Sequence, residues 1–128
     1  ILAELAGHVV TVERLDPLAK TAEDLLRSLG YHNVEVYVAG DGVGWPAGAP
    51  YDASIVTAGA PRVPQELIDQ LADGGRLVIP VGSRFEQNLL KIVKRGAEVT
   101  TANLGPCRFV PFVGKGCWPD GGHDFCLG

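Results

Sequence analysis

The order in which hydrophobic patterns occur is the strongest restriction on the fold of this chain. A strand-helix-strand pattern occurs twice as far as Val81, and two strand-like runs then follow with no helix between them. Residues 8–12 form a short β-branched run closed by Glu13, the pattern of a buried strand. Asp16-Pro17 then offers an N-cap followed by proline at the first helical position. Leu18, Ala22, Leu25, Leu26 and Leu29 recur at helical spacing, and Gly30 supplies the stop. Val34, Val36 and Val38 alternate with Glu35 and Tyr37, as in a strand with one wetter face. After a Gly- and Pro-rich loop over residues 40–50, a second buried strand is predicted over 53–58. Pro64 opens a helix with Leu67, Ile68 and Leu71 on one face, closed by Gly74-Gly75. Residues 76–81 form a third apolar strand, with Pro80 near its end, where a missing donor is tolerable. Residues 88–94 and 108–113 read as the last two strands, with Arg95-Gly96 as a turn and 100–105 as a connection. This order predicts an α/β fold whose parallel sheet ends in an antiparallel hairpin.

Composition narrows the class. At 128 residues, against roughly 150 per domain, the chain has material for one domain. Hydrophobic residues at 46% and charged residues at 20% exclude a disordered chain. Eleven Lys and Arg against 15 Asp and Glu leave a net charge of −4, which argues against a nucleic-acid or anionic-membrane surface. No apolar run approaches the roughly 20 residues that span a bilayer, and no basic-then-apolar signal opens the chain. Three cysteines are too few, and odd in number, for a disulfide framework, which points to a reducing cytoplasm. The chain has no Met and begins Ile1-Leu2-Ala3, inside an uncapped helix-like run. It therefore reads as a fragment with sequence missing upstream. Residues 114–128 carry Gly, Pro, Trp and Cys without periodicity and read as an irregular tail after a domain spanning 1–113.

In open parallel sheets, ligands bind beyond the carboxyl ends of the strands. The residues there are Glu13, Asp41-Gly42, the stretch 57–61 and the stretch 82–87. An acidic strand-end residue such as Glu13 can accept both hydroxyls of a nucleoside ribose; it can equally cap its strand or pair with Arg14. Asp41 between two glycines can accept from an adenine amino group, with Gly42 letting the base approach the backbone; Gly40-Asp41-Gly42 also suits a plain turn. The inventory for nucleophilic catalysis is poor: there is no Ser between glycines in an elbow pattern and no His-Glu-x-x-His helix. Cys117, His123 and Cys126 lack standard zinc spacing, so no metal site is expected. His8 and His32 belong to a strand start and a helix exit.

Tyr51-Asp52-Ala53-Ser54-Ile55-Val56-Thr57-Ala58-Gly59-Ala60-Pro61 resembles the motif after the fourth strand of the protein-L-isoaspartate O-methyltransferases. Leu71-Ala72-Asp73-Gly74-Gly75-Arg76-Leu77-Val78-Ile79-Pro80-Val81-Gly82 is similar to that family's next motif. Val12-Glu13-Arg14, Gly40-Asp41-Gly42 and Leu104-Gly105-Pro106-Cys107-Arg108-Phe109-Val110-Pro111 fall where the family has its equivalents. The likeness runs from Ile1 to about Trp118. It implies a Rossmann-like class I methyltransferase fold, with residues 1–113 a partial methyltransferase domain. The first strand and the glycine-rich loop that cradles the methionine part of the cofactor would lie before Ile1, as would the family's active-site serine. The implied activity is transfer of a methyl group from S-adenosylmethionine to the carboxylate of L-isoaspartyl residues in damaged proteins. Glu13 would hold the ribose hydroxyls and Asp41 with Gly42 the adenine. Thr57, Ala58, Ala60 and Pro61 would face the methyl group and the isoaspartyl peptide. Gly59 replaces the family's usual alanine, which at sequence level is a minor change. The resemblance further implies a cytoplasmic protein, monomeric when complete, whose partners are isoaspartyl proteins or peptides.

This activity suits a chain without a catalytic His or Cys. An acceptor carboxylate of pKa near 4 is already ionised at neutral pH, so no general base is required. Alignment of the two partners can supply roughly 7–11 kcal/mol of the barrier reduction. Two other readings stay open on the residues. A nicotinamide-dependent oxidoreductase would share the strand-end Glu13 but requires an upstream G-x-G-x-x-G. An inactive fragment of the methyltransferase fold would expose the two strand edges that a central strand normally pairs.

Overall fold

The computed structural model describes residues 1–39, 42–113 and 117–118. They fall into two compact units, Ile1–Gly40 and Asp41–Gly128.

The first unit contains α1 (Leu2–Leu5), β1 (Val9–Glu13), α2 (Asp16–Ser28) and β2 (Val34–Val38). β1 and β2 pair in parallel from Val9 opposite Val34 to Glu13 opposite Val38. Parallel neighbours need a crossover, and α2 provides it. Asp16 is not the N-cap that the Asp-Pro pattern suggests: Leu15 holds that place, in extended conformation, and Asp16 lies in the first turn. Its charge suits the positive end of the helix dipole there, and Pro17 still falls where no N–H is needed. The exit follows the sequence expectation. Gly30 adopts φ 86°, its N–H bonds the Arg27 carbonyl, and the Tyr31 N–H bonds the Leu26 carbonyl, each at 3.0 Å. This is the paired closure that a left-handed glycine allows after a helix. The expected apolar face of α2 divides into two lines. Ala19 is buried and Ala22 and Leu26 are half-buried, whereas Leu18, Leu25 and Leu29 are exposed.

The second unit contains a short 3-10 turn (Pro46–Gly48), β3 (Tyr51–Ile55), α3 (Gln65–Asp69), β4 (Leu71–Gly82), β5 (Gln87–Arg95) and β6 (Glu98–Cys107). The sheet order is β3-β4-β5-β6. β3 and β4 are parallel, and the remaining pairs are antiparallel. Leu77 opposite Ile92 and Ile79 opposite Leu90 bring one face of β4 and β5 together. Leu77, Ile79 and Ile92, with Val43, Ala60, Leu67 and Leu71, make the core. Pro80 contributes its carbonyl, which accepts the Ala60 N–H at 2.9 Å.

Three sequence expectations need correction in this unit. The helix opened by Pro64 stops at Asp69, and Leu71 begins β4 instead of completing the helix's apolar face. The cause is tertiary: the Tyr51 N–H bonds the Gln70 carbonyl at 2.8 Å, and Lys94 Nζ donates to the carbonyls of Ile68 and Leu71, each at 3.2 Å. Gly74-Gly75 then lies inside a strand irregularity, for Tyr51 pairs with Leu71 but Ala53 with Arg76. A β-carbon at Gly75 would stand 2.7 Å from the Ala72 carbonyl oxygen, so glycine is required there by close backbone approach. The strand expected over 53–58 runs from Tyr51 to Ile55. The last strand is not 108–113 but β6, which pairs with β5 directly across the Gly96 turn, Arg95 opposite Glu98. Gly96 has φ 60°, which suits the first central position of a two-residue hairpin. β6 is almost wholly exposed, so it carries no apolar alternation for a sequence pattern to detect. Residues 108–113 make only isolated bridges, Gly59 with Pro111 and Val113 with Trp118. The antiparallel ending itself holds. The tail expected over 114–128 lies outside the described residues except for Cys117 and Trp118. No helix among the described residues is long and apolar enough to cross a membrane.

Candidate functional site

Glu13 ends β1 and is half-buried. Its backbone carbonyl accepts the Ala39 N–H at 2.8 Å, which ties it to the chain leaving β2. Its Oε1 accepts the Leu15 N–H at 3.2 Å. An ionised carboxylate offers about four acceptor positions, so capping Leu15 leaves capacity for a partner with hydroxyl groups. That donor chemistry fits a ribose diol.

Asp41 lies outside the described residues. Gly42, in the second unit, is exposed, and a β-carbon there would meet no atom within 4 Å. A flat ring therefore has room to approach this backbone. The chain beyond it is held firmly. Val43 is buried, and its carbonyl accepts from Gln70 Nε2 at 2.8 Å. Gln70 Oε1 accepts the Trp45 N–H at 3.0 Å, and the Tyr51 hydroxyl donates to the Trp45 carbonyl at 2.6 Å. Gly44, at φ 74°, sits directly beneath that Gln70 amide, where a β-carbon would also stand 2.9 Å from Leu67 Cδ2.

Residues 57–61 follow β3 and pass from surface to core. Thr57 is exposed, Ala58 and Pro61 are half-buried, and Gly59 and Ala60 are buried. The Gly59 N–H bonds the Val110 carbonyl at 2.6 Å, and its carbonyl accepts the Phe112 N–H at 2.8 Å. On the other side Ala60 accepts the Gly82 N–H at 3.0 Å. The loop is thus stitched between the end of β4 and residues 110–112, and Thr57 and Ala58 are left displayed. Gln87 closes the arrangement. It is 2% exposed, its Nε2 donates to the Ser83 carbonyl at 2.7 Å, and its Oε1 accepts the Phe109 N–H at 2.7 Å. Its amide lies against Gly59, where a β-carbon would stand 2.6 Å from Gln87 Cδ. The exchange of alanine for glycine at this position is therefore sterically substantial, a correction to its minor standing at sequence level. An open cleft of about 400 Å³ lined by Arg84, Phe85, Arg108, Phe109 and Val110 borders the Val110 end of this stitching. Arg84 also lies over the Trp118 ring, 5.3 Å from its centroid.

Thr57, Ala58, Ala60 and Pro61 thus share one loop with Gln87 behind it, and Gly42 lies in the same unit; Glu13 belongs to the first unit. Gln70 lies outside the strand-end stretches that the sequence marks, and Gln87 falls at the end of the 82–87 stretch with no role of its own legible there. Their one signal is an uncharged polar residue beside apolar ones, Ile68 and Leu71 around Gln70, and Leu89 and Leu90 after Gln87, and surface glutamines look the same.

The family model described as Protein-L-isoaspartate(D-aspartate) O-methyltransferase matches residues 1–116. Protein-L-isoaspartate O-methyltransferase 1 of Syntrophobacter fumaroxidans is 52% identical over 119 residues, covering 92% of this chain and 55% of that protein. Protein-L-isoaspartate O-methyltransferase 2 of Geotalea uraniireducens is 55% identical over 121 residues, with the same two coverages of 92% and 55%. The chain thus spans about half the length of the curated relatives it matches. Among solved structures, one titled protein-L-isoaspartate O-methyltransferase aligns with a TM-score of 0.73 at 32% identity, covering 85% of this chain and 35% of that one. Another, from Plasmodium falciparum, is a putative protein-L-isoaspartate O-methyltransferase in complex with S-adenosyl-L-homocysteine. It aligns with a TM-score of 0.64 at 23% identity over 80% of this chain and 51% of its own, a likeness of fold.

Proposed function

The chain belongs to the protein-L-isoaspartate(D-aspartate) O-methyltransferase family, and on that premise we propose that it forms part of an enzyme that methylates L-isoaspartyl carboxylates in damaged proteins. Its Rossmann-like methyltransferase fold is shared with solved members. The observation that carries the functional proposal is the family match over residues 1–116, which takes in the 57–61 loop and Glu13 alike.

S-adenosylmethionine, when bound, supplies a methyl group activated on a sulfonium. The chain's own residues bind and orient. Glu13 accepts hydroxyl donors of the ribose, and Asp41 with Gly42 receives the adenine edge and face. Thr57 and Ala58, displayed by the buried Gly59 and Ala60, meet the acceptor peptide with Pro61. Arg84 and Arg108 in the adjoining cleft favour the approach of an acidic acceptor. The acceptor carboxylate is ionised at neutral pH, so the protein's contribution is alignment and no residue of this chain need move a proton. Residues 1–113 act as part of one methyltransferase domain, followed by the tail 114–128. The proposed setting is the cytoplasm, as a monomer that does not engage nucleic acid, in keeping with the net charge of −4.

The test is methyl transfer by the chain within a protein of the full length of its relatives. Labelled methyl is expected on an isoaspartyl peptide and not on the same peptide with normal aspartate. Equal labelling of both, or labelling of nucleic acid or small metabolites alone, would overturn the proposal.

A further inference from the structure

Among the described residues the buried polar side chains are two glutamines, Gln70 and Gln87. Each uses both ends of its amide on main-chain partners of a different loop. Gln70 holds the Val43 carbonyl and the Trp45 N–H. Gln87 holds the Ser83 carbonyl and the Phe109 N–H. A buried amide bonded at both ends makes a stiff tie, because releasing either bond leaves an unsatisfied polar group away from water.

The two walls that flank the 57–61 loop meet at Gln87. One wall is the end of β4, which bonds Ala60 through Pro80 and Gly82 and continues into Ser83. The other is the stretch after Phe109, which bonds Gly59 through Val110 and Phe112. Gln87 joins Ser83 to Phe109, and the missing β-carbon of Gly59 lets its amide lie directly behind the loop. Resting on the methyl-transfer function above, we propose that Gln87 is the positioning residue of the acceptor loop. It sets how Thr57 and Ala58 are presented to the isoaspartyl peptide without touching the peptide itself. Gln70 is also buried and bonded at both ends of its amide, but it holds the loop after Gly42, so it is the control for a tie outside the acceptor loop.

The experiment uses the chain extended to the full length of its relatives, with Gln87→Met (similar length, no hydrogen bonds), Gln87→Glu (acceptor retained) and Gln70→Met. Three quantities are read: exchange of the Gly59 and Phe109 amide hydrogens, affinity for S-adenosylhomocysteine by calorimetry, and KM for an isoaspartyl peptide. Gln87→Met is expected to speed exchange at both amides and raise the peptide KM about tenfold, the scale of one lost buried hydrogen bond. Its affinity for S-adenosylhomocysteine should stay within about twofold, and Gln87→Glu should recover part of the KM. Gln70→Met should lower the melting temperature comparably but leave the peptide KM within about twofold. Equal effects of Gln70→Met and Gln87→Met on KM, or unchanged exchange at Gly59, would overturn the proposal. Should Gln87→Met not fold, Gly59→Ala presses on the same amide and must show the same split. No transfer by the unaltered protein overturns the methyl-transfer function itself, whereas transfer with an indifferent KM overturns only the role of Gln87.

Discussion

The α-carbon of Gly59 faces the buried amide of Gln87 so closely that a β-carbon there would stand 2.6 Å from Cδ and 2.9 Å from Nε2. The glutamine cannot yield freely, since both ends of its amide are bonded to backbone. Gly59→Ala is therefore expected to lower stability by about 1–3 kcal/mol, the usual effect of overpacking a filled site. Chemical denaturation checks this. An unchanged midpoint would mean that the Gln87 amide moves aside without losing its bonds.

Glu13 keeps acceptor capacity beyond its bond to the Leu15 N–H. If it binds the ribose hydroxyls, Glu13→Ala should weaken S-adenosylhomocysteine binding by about 1–3 kcal/mol in a protein of the full length of its relatives, as when a buried partner is left unpaired. Calorimetry gives the number directly. Unaltered affinity would reduce Glu13 to a cap for Leu15.

Lys94 reaches from β5 to the carbonyls of Ile68 and Leu71, where α3 gives way to β4. Its half-buried ammonium does the work that helix C-terminal residues normally do. Lys94→Met keeps the stem and removes both bonds, and a loss of about 1–3 kcal/mol is expected. Equal denaturation midpoints for the two proteins would show that water replaces the ammonium at no cost.

Cys117 is a free, half-buried thiol. Burial and the nearby Glu66 push its pKa above the ordinary 9.0, and Arg62 offsets this only in part. Only the thiolate is reactive, so alkylation should be slow at neutral pH and accelerate as the pH rises past 9.0. Glu66→Gln removes the like charge and should bring that rise to lower pH. Rapid labelling at pH 7 with mass-spectrometric assignment to Cys117 would contradict the shift.

β1 pairs on one side with β2, and β3 on one side with β4, each within its own unit. Among the described residues the other edges of β1 and β3 have no ladder, and no residue of either strand is fully buried, so their open backbone groups can pair with another chain. The 128-residue chain by itself is expected to be marginally folded, to associate through such edges, and not to bind S-adenosylmethionine measurably. Sedimentation and a thermal melt test this. A sharp melt from a cofactor-binding monomer would refute it.

Local chemistry alone decides several features of this protein. The β-branched run before Glu13, the Gly30 exit from α2 and the alternation of Val34, Val36 and Val38 act within a few residues, so their patterns survive in a linear reading. The strand-helix order likewise implies a parallel sheet, because a parallel pair needs a crossover. Contacts distant in sequence decided the rest. Leu71 has a helical spacing to Leu67, yet it enters β4 because Tyr51 and Lys94 claim the backbone around it. β6 pairs through its backbone while its side chains face water, and an exposed edge strand leaves no hydrophobic period to read. Gln87 and Phe109 are 22 residues apart, and nothing in either neighbourhood encodes their bond. A glutamine is polar wherever it stands; it becomes a tie for the 57–61 loop only when folding removes water and leaves its amide no partners but the backbone of Ser83 and Phe109.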